Sequence, residues 1–139
     1  MSLPPSSRHF YHPLMAESPR VLIVEDDPET RLFYTAAFER GGFETEQAHN
    51  GHQALAKALA SPHPDLILTD IAVPGLDGIE LCRRLRADER TREIPVLAIT
   101  GYDDRHYPDR IRTAGANHVL LKPCDSELLV NEARRLLLR

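Results

Sequence analysis

Five short segments typical of strands, most of them apolar, recur along the chain, and helical segments alternate with them. Runs of this length that are rich in β-branched residues are typical of strands buried on both faces of a sheet. The predicted strands cover residues 21–24, 43–48, 66–69, 95–99 and 117–121. Strands that alternate with helices imply a parallel sheet with helices on both faces, joined by right-handed crossovers. The sequence therefore predicts an α/β fold with a doubly wound, five-stranded parallel sheet and five helices.

The helix ends are marked by capping residues and by proline and glycine. The predicted N-terminal caps are Asp27, Asn50, Asp77, and either Asp125 or Ser126. Pro28 suits the first turn of the first helix, and the pair Gly41 and Gly42 ends that helix. The residues of the first helix that we expect to face the core are Leu32, Phe33, Ala36 and Ala37. Because Pro108 falls in the span of the fourth helix, that helix should start near Pro108 and be short.

Composition narrows the functions that the chain can have. Its 139 residues fit one domain, and a formal net charge of −4 without a basic block does not favour direct nucleic-acid binding. Cys82 and Cys124 are far apart and form no CxxC pair, which indicates a reducing compartment and a cytoplasmic location. No apolar run approaches the roughly 18 residues of a membrane span. Residues 1–19, rich in Pro and Ser, are expected to be a disordered tail or a leader, and residues 20–139 the folded domain.

Polar residues stand where the predicted strands end. Glu25 and Asp26 follow the first strand, Asp70 follows the third, Thr100 ends the fourth and Lys122 follows the fifth. A carboxylate directly after a buried strand has no packing reason to be there. Parallel sheets of this class bind ligands beyond the carboxyl ends of their strands. We therefore expect these five residues to form one site at a single edge of the sheet.

The residue types at this edge suggest a particular chemistry. Clustered carboxylates repel one another unless a cation lies between them. Oxygen ligands without His or Cys suit Mg²⁺, which favours a phosphate as a further ligand. A lysine and a threonine hydroxyl nearby can bind phosphoryl oxygens. We interpret Asp70 as a nucleophile that can form an aspartyl phosphate.

Four segments resemble, in order, those of response-regulator receiver domains, the phosphoacceptor domains of two-component signalling. The segments are VLIVEDDPE, DLILTDIAVPGLDGIEL, IPVLAITG and GANHVLLKP. The resemblance covers residues 20–139 and implies a flavodoxin-like receiver fold with strand order 2-1-3-4-5. It also implies a signalling domain that takes part in its own phosphorylation and dephosphorylation, and not an enzyme with a separate substrate.

The resemblance assigns roles to the acidic residues. Asp70 would accept a phosphoryl group from the phosphohistidine of a sensor histidine kinase or a phosphotransfer protein. Glu25, Asp26 and Asp70, with the backbone carbonyl of Ala72, would hold Mg²⁺ or, in its place, Mn²⁺. Asp26 is expected to be a more direct metal ligand than Glu25.

The resemblance also assigns roles on the other side of the site. Thr100 and Lys122 would bind phosphoryl oxygens, and the peptide bond between Lys122 and Pro123 would be cis. The phosphorylated domain would bind a downstream output protein or domain, or a second copy of itself.

One departure from the family concerns signal transmission. Receiver domains usually carry Tyr or Phe in strand five, three residues before the lysine, and this chain has Val119 there. A valine side chain is too short to swing inward as that ring does. With Gly101 and Tyr102, Val119 forms the expected switch region, and residues 101–107 are expected to carry most of the phosphate-dependent change.

Two other function classes share features with this pattern. A pseudo-receiver, which binds partners without depending on phosphorylation, remains the alternative, although the full set of polar residues argues against it. A hydrolase of the haloacid-dehalogenase type needs a second acid two residues after the nucleophile. Position 72 is Ala, so that class is excluded.

Overall fold

A parallel sheet of five strands forms the centre of the computed structural model, which describes residues 18–101 and 107–138. The strands are β1 (Arg20–Val24), β2 (Glu44–Ala48), β3 (Leu66–Asp70), β4 (Val96–Thr100) and β5 (His118–Leu121). Their order in the sheet is β2-β1-β3-β4-β5. The predicted fold class and strand order are both confirmed.

Five helices connect and cover the strands. They are α1 (Pro28–Arg40), α2 (Gly51–Leu59), α3 (Gly78–Ala87), α4 (Tyr107–Ala114) and α5 (Ser126–Leu137). None of the helices in the described part of the chain is long and apolar enough to cross a membrane.

Side-chain caps begin four of the helices as the sequence predicts. The carboxylate of Asp27 accepts a hydrogen bond from the Thr30 amide at 2.9 Å. Asn50, Asp77 and Asp125 cap α2, α3 and α5 in the same way. At α5 the cap is therefore Asp125, and Ser126 is the first helical residue. Each cap satisfies a backbone N–H group that has no partner inside its helix.

The buried face of α1 differs from the predicted one. Leu32 and Phe33 are 63% and 47% exposed, and the residues that face the core are Tyr34, Thr35, Ala37 and Phe38. Thr35 can be buried because its hydroxyl donates a hydrogen bond of 2.7 Å to the carbonyl of Arg31. The prediction was right for Ala37 and wrong for Leu32 and Phe33. It followed apolar residue type alone, whereas the stripe that packs is the one that brings Phe38 against Phe43.

The strands contribute to one core on each face of the sheet. On one face, Leu22, Ile67 and Ala98 pack under α2, α3 and α4. On the other face, Ile23, Leu68 and Leu97 pack under α1 and α5. Neighbouring residues along β1, β3 and β4 therefore point to opposite cores, which explains why these three strands are largely apolar without a polar alternation. The edge strand β2 is polar and buries only Ala48.

Parallel register brings the ends of the strands to one edge. Val24 lies beside Thr69, Asp70 beside Ile99, and Thr100 beside Leu121. The residues that end or follow β1, β3, β4 and β5 are consequently neighbours in space. This edge carries the predicted site.

Candidate functional site

Asp70 is the last residue of β3 and is 7% exposed. Its Oδ1 accepts a hydrogen bond of 2.9 Å from the amide of Ala72, and its Oδ2 contacts the ammonium of Lys122. The loop after Asp70 folds back tightly, because the amide of Gly78 donates to the carbonyl of Ile71 at 2.8 Å. A Cβ atom at position 78 would come within 3.0 Å of the Asp70 carbonyl oxygen. Glycine at the start of α3 thus lets the loop pass close behind the carboxylate.

Glu25 places a second carboxylate beside Asp70, and its side chain is buried. Its Oε2 accepts a hydrogen bond of 3.0 Å from the amide of Asp27. Its Oε1 lies 3.6 Å from the Nζ atom of Lys122 and has no hydrogen-bond partner within the described residues. Burial, and secondarily the nearby negative charge of Asp70, raises the pKa of Glu25 to about 7.

Lys122 follows β5 and reaches both carboxylates. Its amide donates a hydrogen bond of 2.8 Å to the carbonyl of Thr100, which ties the end of β5 to the end of β4. The peptide bond between Lys122 and Pro123 is cis, as the resemblance implies. Burial of the ammonium works to lower its pKa, but the hydrogen bond to Asp70 and the attraction of both carboxylates outweigh this and raise the pKa. The lysine therefore carries its positive charge into the site.

The structure brings Glu25, Asp70 and Lys122 into direct contact and places the other predicted residues around them. Asp26 is exposed beside Glu25, and Thr100 is buried at the end of β4. Ala72 is exposed and offers its amide to Asp70. In the predicted switch region, Gly101 is half-buried, Val119 is buried on the face covered by α2, α3 and α4, and Tyr102 lies outside the described residues.

The donor atoms at this edge suit a hard divalent cation. They are oxygens without His or Cys, and the buried Oε1 of Glu25 still has a free lone pair for a ligand. No group of three or more His, Cys, Asp or Glu side chains in residues 18–101 and 107–138 is already arranged around a metal position. The ammonium of Lys122 instead contributes the positive charge between the two buried carboxylates.

Arg31 is a residue of this region that the sequence interpretation did not identify. It lies near the start of α1, and its guanidinium donates to the carbonyls of Glu25 and Asp26 at 2.9 and 3.4 Å and to the side-chain oxygen of Gln47 at 3.0 Å. One feature of the sequence could have identified Arg31, namely its position near the start of a predicted helix. A cation near a helix N-terminus is unfavourable next to the positive end of the helix dipole, so it needs compensating acceptors.

The chain is similar to known proteins in both sequence and structure. The family described as response regulator receiver domain matches residues 21–134. The DNA-binding dual master transcriptional regulator RpaA of Synechocystis is 41% identical over 125 residues, which span 87% of this chain and 50% of RpaA. The polar-differentiation response regulator DivK of Brucella ovis is 38% identical over 103 residues, which span 74% of this chain and 83% of DivK.

A solved structure agrees with these matches. The receiver domain of the sensor histidine kinase PA1611 from Pseudomonas aeruginosa, described with a magnesium ion coordinated in its active-site cleft, is 29% identical. It superposes with a TM-score of 0.81 and covers 88% of this chain and 99% of that domain. The chain thus matches a domain that occurs within proteins of different lengths, and it spans about half of the RpaA regulator.

Proposed function

Because this chain belongs to the response-regulator receiver family, we propose that it is a phosphoacceptor domain of a two-component system. In this proposal Asp70 receives a phosphoryl group from the phosphohistidine of a sensor histidine kinase or phosphotransfer protein. The observation that carries it is the contact of a buried aspartate, Asp70, with Lys122 beside a second buried acid, Glu25. The domain would act in the cytoplasm, and its phosphorylation would change its affinity for an output protein, an output domain or a second copy of the chain.

The geometry supports a specific role for each oxygen of Asp70. The amide of Ala72 holds Oδ1 and so fixes the orientation of the carboxylate. The other oxygen, Oδ2, faces the ammonium of Lys122, so we infer that Oδ2 attacks the phosphorus atom. A bond forms between Oδ2 and phosphorus while the bond from phosphorus to the histidine nitrogen breaks, and the electron pair returns to the imidazole. Lys122 would move from the carboxylate to an oxygen of the transferred group.

A divalent cation completes the proposal. Glu25, Asp26 and Asp70 would hold it together with the backbone carbonyl of Ala72, and Mg²⁺ or Mn²⁺ fits this set of oxygen donors. When bound, the cation supplies the positive charge that lets an anionic phosphodonor approach clustered carboxylates. The hydroxyl of Thr100 would bind another phosphoryl oxygen from the end of β4.

The test of the phosphoacceptor is labelling with a small phosphodonor. Wild-type protein incubated with acetyl phosphate and Mg²⁺ should gain the mass of one phosphoryl group, and Asp70→Asn should gain none. Asp65→Asn is the matched control, because Asp65 directly precedes β3, at the end of the strand opposite to Asp70. It accepts a hydrogen bond from the Arg20 amide, which Asn can also accept. Undiminished labelling of Asp70→Asn would contradict the assignment.

The metal requirement is tested in the same assay. Excess chelator, and separately Asp26→Asn, should abolish or strongly slow the mass gain of the wild type. Labelling at the wild-type rate in chelator would exclude the proposed role of the cation.

The alternative, a pseudo-receiver, is favoured only by Val119. This residue is buried and aliphatic, so a ring that moves on phosphorylation is missing from β5.

We propose instead that residues 101–107, of which 102–106 lie outside the described residues, respond to phosphorylation. Their amide exchange should change when beryllofluoride and Mg²⁺ are added to the wild type, and not when they are added to Asp70→Asn. A response confined to β5 and α5 would show this assignment to be wrong, and no response anywhere would favour the pseudo-receiver.

A further inference from the structure

We propose that Arg31 is a positioning residue of the cation site, which it controls by fixing the backbone of the acidic pair Glu25 and Asp26. This inference rests on the proposed function, since it concerns how the same acids bind a divalent cation. Arg31 would touch neither the cation nor the phosphoryl group. Its effect would pass through the two carbonyl groups that it binds.

The contacts of Arg31 form a bridge between three elements at the sheet edge. One terminal nitrogen of the guanidinium donates to the carbonyl of Glu25 at 2.9 Å and to that of Asp26 at 3.4 Å. The Nε atom donates to the side chain of Gln47 in β2 at 3.0 Å. The guanidinium therefore joins the end of β1, the start of α1 and the end of β2. Because the guanidinium is planar and rigid, these bonds fix its direction.

The turn after β1 depends on few other contacts. The amide of Glu25 donates to the carbonyl of Ala48 at 3.0 Å, and the amide of Asp27 donates to the side chain of Glu25. These two bonds hold the N–H groups of Glu25 and Asp27. In the described part of the chain, the side chain that donates to the carbonyls of Glu25 and Asp26 is that of Arg31. Without Arg31, the peptide planes of residues 25 and 26 could rotate, and rotation would change the directions in which the two acidic side chains leave the backbone.

The charge of Arg31 supports the same role. A cation near the first turn of a helix is opposed by the helix dipole, so its position needs compensation. The carbonyl oxygens of Glu25 and Asp26 provide that compensation. A residue that only stabilised α1 would be better placed at its C-terminal end.

The variants that test this are Arg31→Lys and Arg31→Ala. Lysine keeps the charge but cannot reproduce the rigid bridge between the carbonyls and Gln47. Removal of partners that orient metal ligands commonly weakens metal affinity about 10- to 100-fold. We expect the dissociation constant for Mg²⁺, measured by isothermal titration calorimetry, to rise about tenfold in Arg31→Lys and further in Arg31→Ala. The rate of phosphorylation by acetyl phosphate at saturating Mg²⁺ should fall much less than the affinity.

A matched control is Arg134→Lys. Arg134 is also a helical arginine that donates to a backbone carbonyl, that of Gly41 at 2.7 Å, but it does so at the end of α1 remote from the site. The variant Arg134→Lys should leave the affinity for Mg²⁺ unchanged. Gln47→Ala removes the outer anchor of the guanidinium alone and should weaken Mg²⁺ binding by a smaller factor than Arg31→Lys. If Arg31→Ala does not fold, Gln47→Ala still tests the role of Arg31.

The outcomes separate the two proposals. If the wild type neither binds Mg²⁺ nor accepts a phosphoryl group, the proposed function is wrong. If the wild type does both while Arg31→Lys and Gln47→Ala bind Mg²⁺ as tightly as it does, only the role of Arg31 is overturned. Equal losses of affinity in Arg31→Lys and Arg134→Lys would also overturn it, because they would show a general loss of structure.

Discussion

Glu25 carries a carboxylate into surroundings that compensate its charge only in part. One oxygen has the Asp27 amide, and the other has the Lys122 ammonium at 3.6 Å, too far for a hydrogen bond. A pair of charges taken out of water is rarely a source of net stability, because desolvation offsets the attraction. This arrangement is therefore not a source of net stability for the fold, and it accords with the cation site proposed above.

Cys82 allows a prediction about alkaline pH at the scale of one residue. It is completely buried, and this burial raises the pKa of its thiol from 9.0 to about 11. Between these values the thiol of the unfolded chain loses its proton while that of the folded chain keeps it. The stability due to the protonated thiol is complete below pH 9 and is lost as the pH rises towards 11.

The expected size of this loss is about 2 kcal/mol, since each pKa unit corresponds to about 1.4 kcal/mol. Urea unfolding of the wild type and of Cys82→Ala at pH 8 and pH 11 measures it. The wild type should lose more stability than the variant over this interval. Cys124→Ala is the control, because Cys124 is only half-buried and should change the pH dependence less. Parallel pH dependence of the wild type and Cys82→Ala would contradict the prediction.

At the scale of elements, Arg86 connects the end of α3 to two loops. Its guanidinium donates to the carbonyls of Gly115 and Ile94 at 3.0 and 2.7 Å and to the side chain of Asn117 at 2.9 Å. Gly115 has a φ angle of +120°, and a Cβ atom there would lie 2.6 Å from the Arg86 side chain. The glycine thus lets the chain approach the arginine closely where α4 ends and β5 is about to begin.

Loss of the Arg86 side chain should therefore lower the free energy of unfolding far more than loss of a neighbouring arginine side chain. We expect Arg86→Ala to lower the free energy of unfolding by about 2–3 kcal/mol, because several charge-assisted hydrogen bonds disappear and leave backbone acceptors without partners. Arg83 lies on the same helix, is exposed and pairs only loosely with Glu80 at 3.4 Å. Arg83→Ala should change stability by less than about 0.5 kcal/mol. Equal effects in urea unfolding would show that the Arg86 contacts contribute little.

Elements differ in how far the sequence alone could define them. The caps were predictable because Asp27, Asn50 and Asp77 bond to amides three residues away, a purely local geometry. The buried face of α1 was not, because Leu32 and Tyr34 are both acceptable core residues and only the packing of the helix on the sheet selects between them. The role of Arg86 was also hidden, since its acceptors are distant along the chain and its neighbours suggest a solvated helix end.

At the scale of the whole molecule, the two cores share one sheet. Residues of β1, β3 and β4 contribute to both, so neither layer of helices can leave without exposing the apolar strands. We therefore expect a single cooperative unfolding transition, with coincident curves from far-UV circular dichroism and tyrosine fluorescence.

Phe38 offers a quantitative test of this arrangement. Its side chain is fully buried and meets the ring of Phe43 edge-on, with centroids 4.9 Å apart. Phe38→Ala should lower the free energy of unfolding by about 3–5 kcal/mol, because apolar burial is lost and the missing ring leaves a cavity. Phe33→Ala, on the exposed side of the same helix, should cost less than about 1 kcal/mol. Similar midpoints in urea for the two variants would contradict the observed orientation of α1.

The sharing of one sheet edge by the predicted site residues followed from the sequence, because topology alone determines it. Once β1, β3, β4 and β5 are parallel, the residues that end or follow them must meet at one edge. The internal arrangement of the site did not follow. Glu25 is buried and Asp26 exposed, and the contacts of Glu25 with Lys122 and of Arg31 with Gln47 join residues that are far apart along the chain. Local patterns locate such a site, whereas long-range hydrogen bonds orient its side chains.

The open edge of β2 has a consequence for association between molecules. β2 pairs with β1 on one side only, so the backbone groups on its other side could accept another strand. Glu44 and Glu46 stand two residues apart on this strand and both bond to Arg20. A second copy laid along this edge would bring its own glutamates against them, and like charges would oppose the contact. Crowded molecules are thereby discouraged from growing into a continuous intermolecular sheet, the first step towards fibrils.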